Sequence, residues 1–206
     1  MTCMIVDYGR GNLFSLTQAL RHLGVEHEVT TDPARLARAE RLVLPGVGAF
    51  GDAAAALRKR GLAEPLLSAV GRGGALLGIC VGAQLLFTRG EEFGVHAGLD
   101  LLGGTVRRLP EGNGGPDSVR IPNVGWRTLL PRPLGFLADI PADSKVYFVH
   151  SYAPIADDPS DVVATIHING AEVTAAVRRG RVLGYQFHPE KSGEVGLDIL
   201  SRFMAL

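Results

Sequence analysis

The first half of the chain alternates short apolar segments with amphipathic stretches, a pattern typical of parallel strands and the helices that cover them. The apolar segments predict strands at residues 3–6, 28–31, 41–44 and 75–79. Apolar residues at helical spacing predict helices at residues 13–23, 34–39, 53–60 and 62–70, and the beginning of another at 83–88. Gly24 suits the end of the first helix, and Asp32 followed by Pro33 suits the beginning of the second. We therefore expect an α/β fold with an open, mostly parallel sheet flanked by helices.

From residue 104 onward the pattern changes to short strands separated by turns that contain Gly and Pro. Strands are predicted at residues 104–109, 119–123, 145–149, 162–165, 172–178 and 182–186, followed by a helix at 195–204. Arg179 and Gly180 predict a hairpin turn between the last two strands, and the polar, Gly-rich segment 110–116 predicts a loop. We expect an antiparallel β extension in this half. Because no linker or internal repeat interrupts the chain, one domain is expected over residues 1–206.

Composition and charge exclude several classes of protein. Of the 206 residues, 46% are hydrophobic and 20% are charged, which is typical of a globular protein. Basic and acidic residues number 21 each, so no net charge attracts nucleic acid or an anionic membrane. Cys3 and Cys80 form neither a disulfide framework nor a zinc-binding spacing, and we expect a reduced, cytoplasmic protein. The first residues lack a signal-peptide pattern, and the most apolar stretch, 75–87, is too short to span a bilayer.

The first candidate for chemistry is Cys80, which lies between Gly78 and Gly82 where a predicted strand runs into a helix. A nucleophile on such a sharp turn is lifted above the edge of the sheet, and flanking glycines relieve crowding around strained backbone. The helix N-terminus favours a thiolate, and the backbone N–H of Val81 points to where an oxyanion would form. The alternative is that Cys80 is simply a small buried hydrophobic residue.

The second candidate is the pair His188 and Glu190, which flank Pro189 after the last predicted strand. On an extended segment these two side chains project to the same face. The carboxylate can then fix the histidine tautomer and leave the other ring nitrogen free to serve a thiol. A surface ion pair at a strand end is the alternative. With Cys80 they supply a nucleophile, a base and an orienting group, all at carboxyl ends of predicted strands.

A glycine-rich segment, 46–51, matches the GxGxxG pattern of dinucleotide-binding proteins. A nucleotide site would need an acidic residue at the end of the next strand, but that strand ends at Ile79 and Cys80. We therefore reject a nucleotide site and interpret residues 45–48 as exposed backbone amides beside the Cys80 turn, which are suited to supply a second oxyanion donor. An ordinary Gly-rich loop is the alternative.

Three further segments carry polar or aromatic residues near predicted strand ends. Segment 148–152 suits substrate contact, although His150 by itself is interpreted as a structural histidine. Segment 7–12 is a loop at the same end of the sheet with too few features for a phosphate site. In segment 122–126 the only Trp follows a glycine in a predicted loop, which fits an interface or, more commonly, a core position.

Taken in order, these motifs resemble the class I glutamine amidotransferases, which carry a Cys…His-x-Glu triad. The GxCxG and HPE elements are shared across that family. The full set is most similar to the subfamily of glutaminase subunits of imidazole glycerol phosphate synthases, and it spans almost the whole chain. The matching motifs are YGRGN, LPGVGAFGDA, GICVGAQLLF, PNVGW, FVHSY and GYQFHPEKS.

When the site residues of the subfamily are transferred to the matching positions of this sequence, the resemblance implies four groups of site residues. They are the catalytic triad (Cys80, His188, Glu190), the oxyanion donors (Val47, Gly48, Val81), the glutamine contacts (Gln84, Ser151, Tyr152) and the positions facing a partner subunit (Asn12, Trp126, Lys191). In the implied triad Cys80 is the nucleophile, His188 is the general base and acid, and Glu190 orients the histidine. The Val47–Gly48 peptide is expected to turn when the partner is loaded.

The resemblance also implies a reaction: glutamine is hydrolysed to glutamate and ammonia through a glutamyl thioester. In the subfamily the ammonia passes to a (β/α)8-barrel cyclase subunit in a heterodimer, which makes imidazole glycerol phosphate and an aminoimidazole carboxamide ribotide on the route to histidine. No metal and no organic cofactor is implied. Two alternatives stay open. One is the glutaminase subunit of another pathway, such as that of pyridoxal phosphate synthase, and the other is a non-catalytic interaction subunit on the same fold.

Three residues depart from the commoner pattern of the subfamily. Val81 stands where Leu is usual, Ala83 where Met is usual, and Arg127 where Asn is common. Because Val81 contributes backbone, its change is expected to matter little. Ala83 is expected to loosen packing beside the glutamine pocket, and Arg127 to alter details of the interface.

Overall fold

The computed structural model describes residues 2–115, 118–133 and 135–206. Its strands are β1 (Cys3–Val6), β2 (His27–Thr30), β3 (Arg41–Gly46), β4 (Ala75–Cys80), β5 (Phe87–Gly90), β6 (His96–Ala97), β7 (Leu102–Arg108), β8 (Asn123–Thr128), β9 (Leu130–Pro131), β10 (Lys145–His150), β11 (Tyr152–Ala156), β12 (Val162–Ile168), β13 (Ala171–Arg179) and β14 (Val182–Tyr185). Its helices are α1 (Leu13–His22), α2 (Pro33–Ala37), α3 (Phe50–Lys59), α4 (Ala63–Gly71), α5 (Val81–Gln84) and α6 (Gly193–Met204), with 3-10 turns at Pro159–Asp161 and Pro189–Lys191.

The main sheet has eight strands in the order β2-β1-β3-β4-β14-β13-β12-β9 within the described residues. The five strands from β2 to β14 run parallel, and the three beyond them are antiparallel. Two smaller sheets pair β8 with β10 and arrange β11, β7, β5 and β6 in that order. The predicted fold, a mostly parallel sheet with helices and an antiparallel extension, is confirmed.

The centre of the main sheet is buried on both faces. Every residue of β3 and β4 is buried, as expected for parallel strands covered by helices on either side. Strand β14 enters between β4 and the antiparallel strands, with Tyr185 paired to Ile79. This pairing places the segment that follows β14 beside the segment that follows β4. Among the described residues, no helix is long and apolar enough to cross a membrane.

The helix boundaries follow the predicted capping residues. Gly24 has a φ of +68° directly after α1, and the N–H of Val25 bonds back to the carbonyl of Leu20. The Asp32 side chain accepts hydrogen bonds from the backbone of Ala34 and Arg35 and so begins α2. Local sequence chemistry therefore sets these ends within a residue or two.

The helix predicted at residues 83–88 is wrong. Helix α5 ends at Gln84, and Phe87–Gly90 forms strand β5, which pairs with β6 and β7. Phe87 is fully buried, and the carbonyl of Thr88 accepts a bond from the N–H of Gly98. The apolar run after Cys80 fits either a helix or a buried strand, and pairing with a later segment decides between them.

The strand predicted at 119–123 begins only at its last residue, and strand β8 (Asn123–Thr128) continues beyond it. Val119 bonds instead to the Asn169 side chain through both its N–H and its carbonyl. Consequently Trp126 lies in a strand, whereas the sequence predicts a loop. Residues 110–115 of the predicted loop contain neither helix nor strand, and Pro116 lies outside the described residues.

Candidate active site

Cys80 lies on a strained turn between β4 and α5. Its backbone has φ 55° and ψ −116°, a conformation that costs energy for any residue with a side chain. The glycines on either side are required by close packing. A Cβ atom on Gly78 would lie 2.5 Å from the carbonyl oxygen of Gly82, and one on Gly82 would overlap the carbonyl oxygen of Leu44. The sharp turn predicted for a nucleophile is therefore present, and buried strands hold it in place.

His188 and Glu190 form a buried pair beside this turn. Nδ1 of His188 lies 2.8 Å from Oε1 of Glu190, and both side chains are only 3% exposed. The sequence predicts this geometry on an extended segment. The pair forms instead because Pro189–Lys191 is a 3-10 turn that folds Glu190 back onto the ring. Nε2 of His188 has no hydrogen-bond partner within the described residues, so it stays available to a neighbouring group.

The surroundings of His188 favour its protonated form. Burial lowers the pKa of His188, but its contacts with Cys80 and Glu190 outweigh this effect and raise the pKa from 6.5 to about 9. The carboxylate fixes which ring nitrogen carries a proton, and the sulfur is close enough to interact with the charge. The arrangement resembles a nucleophile, a base and an orienting group, with the base held as a cation at neutral pH.

Ser192 holds the backbone of His188 in place and was missed by the sequence analysis. Its hydroxyl donates to the carbonyl of His188 at 2.6 Å and accepts from the N–H of Tyr147 at 2.9 Å. The N–H of His188 in turn bonds to the carbonyl of Tyr147. Ser192 is 2% exposed. In the sequence, the available signal was a serine two residues after Glu190. Its hydrogen bond to Tyr147 on β10 depends on the fold and cannot be predicted from the sequence.

A cavity of about 380 Å³ opens above Cys80 and collects most of the predicted residues. It is lined by Cys80 and His188 of the predicted triad. It is also lined by the predicted oxyanion and glutamine contacts Val47, Gly48, Val81, Gln84, Ser151 and Tyr152. Glu190 lies behind His188 and does not line the cavity. The backbone around Val47 is turned by Gly48, whose φ is +91°. The roles of these residues stay predictions.

Glu92 also lines the cavity, and the sequence analysis missed it. Its carboxylate accepts a hydrogen bond from the backbone N–H of Phe50 at 2.8 Å, which caps helix α3. Ala49, at the start of that helix, makes no side-chain cap of its own. The interaction joins residues 42 positions apart and leaves no pattern in the sequence. It brings a carboxylate to the same cavity that Cys80 and His188 line.

Gln84 and Gln186 form a buried hydrogen-bonded pair beneath the cavity. Nε2 of Gln84 donates to Oε1 of Gln186 at 2.9 Å and to the carbonyl of Tyr152 at 3.1 Å. Nε2 of Gln186 lies 3.9 Å from Sγ of Cys80. The sequence analysis named Gln84 but missed Gln186, although Gln186 lies only two residues before His188.

His150 lines the cavity but its ring nitrogens already have partners. Nδ1 lies 2.9 Å from the carbonyl of Tyr152, and Nε2 lies 2.9 Å from Nδ2 of Asn123. Burial lowers the pKa of His150 to about 4, so the ring is neutral at pH 7. The interpretation of His150 as a structural histidine fits these contacts. Arg127 donates to Oδ1 of Asn123 and thereby extends the same polar cluster.

The residues predicted to face a partner subunit are not all exposed. Asn12 caps helix α1 through Ser15 and lines a small void with His188 and Glu190. Trp126 is 50% exposed on β8, and Lys191 is exposed directly after Glu190. Their contact with a partner stays a prediction.

The fold is one that a known amidotransferase shares, and a family model gives the class. A crystal structure of a glutamine amidotransferase shares the fold with a TM-score of 0.70, over 98% of each chain and at 22% identity. A family model for the class I glutamine amidotransferases matches residues 4–205.

Curated relatives narrow the family further. The imidazole glycerol phosphate synthase subunit HisH of Geobacillus sp. (strain WCH70) is 45% identical over 98% of this chain and 95% of its own. The subunit of the same name from Salinibacter ruber is 47% identical over 98% of this chain and 93% of its own. The chain therefore belongs to the class I glutamine amidotransferase family and, within it, to the branch of the HisH subunits.

Proposed function

We propose that this chain hydrolyses glutamine to glutamate and ammonia, as the glutaminase subunit of an imidazole glycerol phosphate synthase in histidine biosynthesis. The observation that carries the proposal is the buried His188–Glu190 pair beside Cys80, on the strained turn under the pocket. Names of relatives that match nearly the full chain support the pathway. Residues 1–206 act as a single domain, and the enzyme works in the cytoplasm.

In the first half of the reaction the Cys80 thiolate attacks the side-chain amide carbon of glutamine and forms the carbon–sulfur bond. Backbone N–H groups of Val81 and of the Val47–Gly48 peptide hold the oxyanion, each donor being worth roughly 10²–10³ in rate. Protonated His188 gives its Nε2 proton to the departing nitrogen as the carbon–nitrogen bond breaks. Its raised pKa of about 9 supports this acid role, because the ring carries the proton at neutral pH.

In the second half the neutral His188 ring takes a proton from water. The resulting hydroxide attacks the thioester carbon, the carbon–sulfur bond breaks, and glutamate leaves while Cys80 returns to the thiolate. Glu190 stabilises the imidazolium each time it forms and keeps the same nitrogen directed at the reacting atoms.

Polar groups around the pocket hold the rest of the glutamine molecule. The Glu92 carboxylate suits the α-ammonium group, since it is the acidic side chain among those that line the cavity. Gln84, Ser151 and Tyr152 contribute hydrogen bonds to the remaining polar atoms. The pocket volume of about 380 Å³ supports a substrate the size of a free amino acid.

The ammonia is delivered to a (β/α)8-barrel cyclase subunit, and the two chains form a heterodimer. Ammonia released into water would be protonated and would lose its nucleophilicity, so direct transfer is an advantage. Asn12, Trp126 and Lys191 face this partner. Exposed apolar side chains close to the pocket support an interface there: Val47, Val124, Trp126 and Val149 are each at least 40% exposed.

The triad assignment is tested with Cys80→Ala in the complex with the cyclase subunit. Turnover that depends on glutamine is expected to disappear, while the partner still makes its products from added ammonium salt. Ser201→Ala changes a partly exposed serine on α6 that does not line the cavity; it serves as a control and is expected to retain full activity. Glutamine turnover that survives in Cys80→Ala would contradict the proposal. If this cyclase subunit does not stimulate glutamine turnover by the wild-type chain but another synthase does, the chain would belong to that other synthase's pathway.

A further inference from the structure

Gln186 links the nucleophile to the glutamine pocket through one buried carboxamide. The residue is 2% exposed and follows strand β14 directly. Its backbone N–H is fixed to the carbonyl of Ala175 on β13 at 2.8 Å. Tyr185 pairs with Ile79 in the parallel strands β14 and β4. Gln186, the residue after Tyr185, therefore lies beside Cys80, the residue after Ile79. The sheet register itself therefore brings this amide to the sulfur.

Hydrogen bonds determine which way the Gln186 amide faces. The Tyr152 carbonyl can only accept, so the Gln84 atom that contacts it must be the nitrogen, Nε2. The same nitrogen faces Gln186, which must therefore present its oxygen there. The NH2 group of Gln186 is left facing Sγ of Cys80, at 3.9 Å. A donor directed at sulfur stabilises negative charge on the sulfur.

The same bonds also fix Gln84 for the substrate. With both of its N–H groups given to Tyr152 and Gln186, the amide of Gln84 cannot rotate without losing a buried bond. Its oxygen makes no hydrogen bond within the described residues, and Gln84 lines the cavity. The side-chain oxygen of Gln84 is thus positioned to accept a hydrogen bond from the substrate.

We infer that Gln186 is a positioning residue for the hydrolysis: its NH2 group steadies the Cys80 thiolate while its carbonyl oxygen locks Gln84 against the substrate. This inference rests on the proposed glutaminase function. It assigns one residue two separable effects, one on the reactivity of the sulfur and one on the binding of glutamine.

Three methionine variants separate these effects, because Met matches Gln in length and cannot make either hydrogen bond. Gln186→Met removes both contacts of Gln186. Gln84→Met removes the bonds of Gln84 to Tyr152 and Gln186 but keeps the NH2 group of Gln186 in the chain beside Cys80. Gln18→Met changes an exposed glutamine on α1 as a control. For each, the rate of Cys80 alkylation by iodoacetamide is measured at pH 7 by mass spectrometry. The kcat and KM for glutamine are measured in the complex with the cyclase subunit. Gln186→Leu replaces Gln186→Met if the latter does not fold.

In Gln186→Met, the alkylation rate and kcat are each expected to fall by about tenfold, because a hydrogen bond to a charged group is lost. Its KM for glutamine is expected to rise. Gln84→Met is expected to raise KM by a similar factor while alkylation changes less than about twofold. Gln18→Met should match wild type. Alkylation of Gln186→Met at the wild-type rate would overturn the inference and leave the glutaminase intact. Wild type without glutaminase activity in the complex would instead overturn the proposed function.

Discussion

At the scale of single residues, the reactivity of the site depends on the surroundings of His188. Burial favours a neutral ring, and it is the largest cause of the lowered pKa of His150, which is about 4. His188 differs because Glu190 accepts from one ring nitrogen and Cys80 lies at the other side. Of the two histidines that line the cavity, His188 is therefore a cation at pH 7 and His150 is neutral. Negatively charged partners hold the proton on His188, whereas burial and the nearby positive charges of His188 and Arg127 lower the pKa of His150.

The raised pKa of His188 predicts how stability changes with pH. The folded protein binds this proton more tightly than the unfolded chain, so the contribution to stability is fully present below pH 6.5 and is lost as pH rises through about 9. We expect the difference in free energy of unfolding between wild type and His188→Asn to shrink across that range, as measured by urea denaturation.

The Cys80→Ala background provides the comparison for this experiment. One of the two contacts that raise the pKa of His188 is then missing. The stabilising difference should accordingly be lost at lower pH than in wild type. A difference that stays constant from pH 6 to pH 10 in both backgrounds would show that His188 is not held as a cation.

At the scale of secondary-structure elements, the site depends on how tightly β3, β4 and α5 approach one another. Gly46, Gly78 and Gly82 meet where these elements touch, and each would bring a Cβ atom into neighbouring backbone. Because the obstructing atoms are backbone rather than flexible side chains, the structure cannot easily relax around a larger residue. These glycines are therefore structural requirements of the turn that carries Cys80.

Gly82→Ala is predicted to lower the free energy of unfolding by at least about 2 kcal/mol, because its Cβ atom would overlap the carbonyl oxygen of Leu44. Gly71→Ala is the matched control, since nothing lies within 4 Å of its added carbon and its φ is not left-handed. The control is expected to change stability by less than about 1 kcal/mol, in the stabilising direction. Equal effects of the two substitutions in urea denaturation would contradict this packing argument.

The same elements explain what the sequence could and could not predict. Strands β3 and β4, the cap of α1 and the turn at Cys80 follow from local patterns and were predicted. Strand β5 was not, because its apolar residues suit a helix until pairing with β7 is known. Glu92 and Gln186 act through bonds that span 42 and 102 residues of sequence. Such contacts arise from the fold and leave no local signal.

At the scale of the whole molecule, the sheet order gathers the site from distant parts of the chain. Strands β3, β4 and β14 are neighbours in the main sheet, so the Val47–Gly48 loop, Cys80 and the His188 segment emerge together at one edge. The pair β8 and β10 lies across the same edge and carries Trp126 and His150. Substrate pocket and exposed apolar side chains therefore occupy the same end of the molecule, which is where a partner would receive ammonia.

The most direct test of this account is the release of glutamate from glutamine by the purified chain. It is measured for the chain alone and for its complex with the cyclase subunit and the nucleotide substrate of that subunit. The account predicts that the loaded partner stimulates release by about tenfold or more. Equal release in both conditions would leave a glutaminase without the assigned partner, and no release in either condition would contradict the catalytic assignment itself.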